Sequence, residues 1–90
     1  MQSQQILEHL EELAARLGVE VIYQRLGEED FSVTGGLCKI NGSFKIFIDR
    51  SRPIDEQIKI LARGLSTFNV EEVYLFPYVR EILHKARNYC

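Results

Sequence analysis

The dipeptide Asn41-Gly42 constrains this chain most. It lies between two apolar runs, Leu37 to Ile40 and Phe44 to Ile48. Asn-Gly suits a two-residue turn in which both residues take positive φ, so it predicts a tight β-hairpin. The strands predicted around it are Phe31 to Ile40, interrupted by Gly35-Gly36, and Ser43 to Asp49. A double glycine inside a strand marks a bulge or a close backbone approach. With a two-residue loop, Leu37, Phe44, Ile46 and Ile48 share one face, with Lys39 near the turn. Cys38, Ile40, Lys45 and Phe47 share the other. The first set is the better core, and the second is mixed.

Helical patterns flank the hairpin. From Ser3, a fair N-cap, Ile6, Leu7, Leu10, Leu13, Ala14 and Leu17 recur at helical spacing, and Gly18 supplies a stop. Val19 to Leu26 is β-rich and ends in the acidic turn Gly27 to Asp30, which lacks the remaining ligands of a calcium loop. Pro53 suits a first helical turn. After it Ile54, Ile58, Leu61, Ala62, Leu65 and Phe68 form one stripe, up to Asn69. A helical wheel places Ile60, Arg63, Gly64 and Thr67 around the far side. Gly64 costs about 1 kcal/mol relative to alanine inside a helix, which implies close packing there. Val70 to Phe76 is ambiguous. Pro77 starts a last helix with Val79, Ile82, Leu83 and Ala86 inward. The expected fold is α+β in the order α-β-β-β-α-α, with a three-stranded antiparallel meander at its centre. Ninety residues make one domain with one modest core.

Charge and cysteine content narrow the function. Residues 1–36 carry seven acids and two bases, residues 37–69 six bases and three acids, and the rest balances. The acidic portion argues against nucleic-acid binding. The basic group Lys39, Lys45, Arg50, Arg52, Lys59 and Arg63 is either a solvated surface or a docking patch for an acidic partner. No apolar run approaches a membrane span. Met1 to Gln5 lacks the regions of a signal peptide, so a cytoplasmic location is expected. Cys38 and Cys90 are then free thiols, with no neighbouring base to activate them. His9 is expected at the surface among Glu8, Glu11 and Glu12, and His84 at a helix end. The tyrosines Tyr23, Tyr74, Tyr78 and Tyr89 lack the basic interleaving of an RNA-binding sheet.

The segment Ile46-Phe47-Ile48-Asp49, a short loop with Pro53, and then Gln57 to Ala62 resembles the approach to the active-site helix of ImmA/IrrE-like zinc peptidases. Leu61-Ala62-x-x-Leu65 is similar to the apolar frame of that family's Leu-Ala-His-Glu-Leu. Tyr74-Leu75-Phe76-Pro77 is similar to the residues beyond its third ligand. The resemblance spans residues 19–77 and implies a zincin-like domain. Its His-Glu-x-x-His places hold Arg63, Gly64 and Thr67. Arginine has no lone pair to donate to a metal, and glycine has no side chain to act as a base. The expectation is therefore a non-enzymatic protein-interaction module with no catalytic residues, metal or cofactor. Its partner would be a protein or a second copy. The candidate surfaces are the Cys38, Ile40, Phe47 face and the Ile60, Arg63, Gly64, Thr67 groove. The alternatives are a nucleic-acid-associated domain or an enzyme with unrecognised chemistry.

Overall fold

The computed structural model describes residues 2–25 and 35–88. The elements follow in the order α1 (Ser3–Arg16), β1 (Glu20–Gln24), β2 (Gly35–Ile40), β3 (Ser43–Asp49), α2 (Ile54–Leu65) and α3 (Pro77–Asn88). The α+β class and the element order agree with the sequence pattern. The acidic turn, Phe31 to Thr34, Tyr89 and Cys90 lie outside the described residues.

The hairpin forms as its turn chemistry dictates. Asn41 and Gly42 take φ of 51° and 83°, and Ile40 pairs with Ser43. The meander does not form. The strand order is β1-β3-β2, with β1 parallel to β3 and β2 antiparallel to β3. Chain direction still alternates as in a meander, but the hairpin is turned so that its second strand meets β1. Burial accounts for this. A central strand has no open backbone edge, and among the described residues β3 is the one strand with buried positions, Ile46, Ile48 and Asp49. Gly35 and Gly36 pair in regular register with Ile48 and Phe47, without a bulge, and the space beside the Gly36 Cα is open. The parallel register places Glu20 opposite Lys45, whose ammonium donates to Glu20 Oε1 at 2.9 Å.

The helices gather on the Ile46 and Ile48 face. One core joins Leu10 and Leu13 of α1, Ile46 and Ile48 of β3, Leu61 and Leu65 of α2, and Val79 and Leu83 of α3. Among the described residues α3 packs on α1 and α2 and on no strand. No described helix is long and apolar enough to cross a membrane.

Polar contacts tie the ends together. The N-cap of α1 is Gln2, whose backbone N–H donates to Gln5 Oε1 at 3.1 Å. Ser3 is therefore not the cap. Its hydroxyl donates to Asp55 Oδ1 at 3.2 Å and links the starts of α1 and α2. The buried Asp49 carboxylate ends β3 and accepts from the Ser51 N–H at 3.0 Å and the Ser51 hydroxyl at 2.6 Å. Such a turn gives the backbone a partner where the sheet ladder stops.

Candidate functional site

The sheet has two faces, and the register divides them. Val21, Tyr23, Leu37, Phe44, Ile46 and Ile48 point to the helices. Glu20, Ile22, Lys45, Phe47, Cys38 and Ile40 point the other way, because side chains alternate along a strand. The core takes in the half-buried Val21, Tyr23, Leu37 and Phe44, but not Ile22, Ile40 or Phe47. Ile40 is 43% exposed, Cys38 is an exposed free thiol, and Ile22 and Phe47 are half-buried. Ile22 and Phe47 are directly paired across β1 and β3, and Cys38 lies opposite Lys45. The sequence-predicted trio Cys38, Ile40 and Phe47 therefore lies on one face, and Ile22 joins it through the parallel pairing.

The second predicted set does not form one groove. Gly64 is buried against the sheet. A Cβ there would stand 2.8 Å from Ile46 Cδ1 and 3.2 Å from Ile46 Cγ1. The close packing expected at this glycine is present, but the packed side faces the core. The wheel misplaced it because α2 is covered on two sides, by the sheet and by the other helices. Its buried arc widens to roughly 160° at 100° per residue. Ile60 is half-buried against the core, while Arg63 and Thr67 are exposed.

The helix also ends earlier than its apolar stripe. α2 stops at Leu65, and the Ser66 and Thr67 hydroxyls donate to the carbonyls of Arg63 and Gly64, each at 2.8 Å. Arg87 of α3 closes the same end. Its Nε and Nη2 donate to Ser66 O at 3.0 and 2.9 Å, and Nη2 also reaches Phe68 O at 3.0 Å. A cation at the carbonyl end of a helix satisfies orphan acceptors and opposes the dipole. Thr67 thus lies past the helix end and shares no helix face with Arg63. Among the described residues no cluster of His, Cys, Asp and Glu could hold a metal ion.

Three features escaped sequence reading. Tyr23 donates its phenol proton to Glu11 Oε2 and ties β1 to α1. Burial, and then the adjacent carboxylate, push its pKa well above the ordinary tyrosine range. His9 is half-buried, not solvated. Its ring lies 4.7 Å from that of Phe76, and Nδ1 is 3.7 Å from Glu12 Oε2. The third feature is a groove of about 730 Å³ between α2 and α3, which receives Arg63. Each joins residues far apart in the chain, so no local pattern announced it. Of the basic residues singled out in the sequence, Lys59 and Arg63 line that groove and others disperse. Lys45 pairs with Glu20, Arg52 lies 3.7 Å from both Asp49 and Glu56, and the Lys39 ammonium sits 5.3 Å from the Phe44 ring centroid.

No protein-family model, curated protein or solved structure matches this chain.

Proposed function

We propose that this protein is a non-enzymatic protein-interaction module that docks a protein partner, a second copy of the chain included, on the open face of its sheet. The observation that carries the reading is the apolar set Ile22, Phe47, Cys38 and Ile40, which lies on one face of the sheet but is not packed into the core. A half-exposed apolar surface that also carries a few polar groups, here Lys45 on the central strand with Glu20 opposite it, is a common docking surface. The same reading takes the chain as a relative of the small zinc peptidases without their catalytic set. In that resemblance Arg63, Gly64 and Thr67 take the sequence positions of His-Glu-x-x-His, although Thr67 lies past the end of α2. The free thiol of Cys38 is in keeping with a cytoplasmic location.

Phe47→Asp tests the surface. The variant should keep a cooperative melt while self-association, read by sedimentation, or capture of partner from the native host is lost. Loss of folding, or unchanged association and capture, would remove the sheet face from consideration. A chelator should leave the melting temperature unchanged. A drop restored by stoichiometric zinc would reveal a structural metal site and contradict the loss of the peptidase ligands.

A further inference from the structure

We propose that the groove between α2 and α3 binds an acidic amphipathic helix of a partner protein. This site lies on the side of α2 turned away from the sheet and is independent of the open sheet face.

The floor comes from α2 and α3, with Ile6 of α1 beside them. Ile58 and Ala62 lie one turn apart on α2, and Ile82 and Ala86 one turn apart on α3. The alanines keep the floor low between the isoleucines. A third helix can settle there at ordinary interhelical distance with its own ridge in the groove. The described residues that line the groove all belong to helices, so it presents helix side chains and no strand edge to pair with. A helix-in-groove mode is the recognition mode such walls offer. The groove volume of about 730 Å³ is large enough for several apolar side chains.

The rim sets the sign of the partner. Lys59 and Arg63 are exposed one turn apart along α2, and Lys85 faces them from α3. Among the described residues neither Lys59 nor Arg63 is paired with a carboxylate, while Lys85 lies 3.6 Å from Glu81. Among the described residues the one acid lining the groove, Asp55, lies toward its Ser3 end and accepts that hydroxyl. The occupant's acids therefore belong beside Lys59, Arg63 and Lys85, with its uncharged end toward Asp55. The chain's net charge of −2 opposes such a partner only weakly. Charges farther away than a Debye length of about 10 Å are screened, so the local rim decides.

The test is selection from a displayed library of amphipathic peptides of about 16 residues, long enough to hold helix on a surface. The full chain is the target. Enriched peptides should carry apolar residues at i, i+3 or i+4, and i+7, flanked by Asp or Glu. Their affinity should fall about tenfold or more on the Lys59→Glu, Arg63→Glu double variant, which alters exposed positions and should melt as the parent does. It should also weaken as salt rises from about 0.05 to 0.3 M. Phe47→Asp should leave it unchanged, which separates this site from the sheet face. No enrichment, enrichment of neutral or basic helices, or equal binding to the charge-reversed variant would overturn the proposal. So would selection of nucleic acid by the same groove in a parallel oligonucleotide library.

Discussion

The two faces of the sheet come from the same three strands and differ in what meets them. On one face Ile46 and Ile48 are fully buried in the core that α2 covers. On the other, one residue along the same strand, Phe47 is only half-buried and outside the core. The side chains are equally apolar, so hydrophobicity alone did not choose the face. Two interruptions chose it. Lys45 and Glu20 dilute the open face, and Gly64 fits α2 closely onto Ile46. An apolar strand residue is thus core only where a complementary surface exists to cover it.

The sharpest way to break this contrast is truncation on each face. Ile46→Ala should destabilise the fold by about 2–5 kcal/mol, because it removes buried methylenes and leaves a cavity beneath α2. Phe47→Thr keeps β propensity and should change stability by about 1 kcal/mol or less. Chemical denaturation of both variants gives the comparison. Equal losses would show that the second face is also core.

A smaller effect is expected at Gly64. Alanine there gains about 1 kcal/mol of helix propensity. It also drives a Cβ into the fully buried Ile46, an overpacking that costs roughly 1–3 kcal/mol. Gly64→Ala should therefore be net destabilising by about 1 kcal/mol. Ile46→Val removes the nearest atom, and the double variant should recover part of the loss in a double-mutant cycle. A stabilised Gly64→Ala would show that α2 can lift off the sheet without penalty.

Another expected effect depends on pH. Tyr23→Phe should lose about 1–2 kcal/mol at neutral pH through the missing hydrogen bond to Glu11. Tyr23 has a folded-state pKa raised above its unfolded value of about 10. Its contribution is fully present below that pH and is lost as pH rises above it. Denaturation at pH ~7 and pH ~11 should show the parent losing more stability than Tyr23→Phe. A parallel loss in both would mean that the phenol ionises as freely in the folded state.

Much of this protein was legible in its residues because the causes are local. Period and punctuation place α1 and α3, Pro53 and Pro77 mark helix starts, and Asn41-Gly42 forms the hairpin with both φ values positive. The alternation of Leu37, Phe44, Ile46 and Ile48 against Cys38, Ile40 and Phe47 follows from that turn alone. Tertiary structure decided the rest. Either hairpin strand could pair with β1, and burial of β3 on both edges settled the order β1-β3-β2. Gly64 took its side from Ile46, a residue eighteen positions earlier. Thr67 left the helix when its own hydroxyl, that of Ser66 and the distant Arg87 capped the end of α2. Arg63 turned to the groove that α3 completes. The periodicity of a helix says how wide its apolar stripe is, but only the neighbours that cover it determine where the buried arc begins and ends.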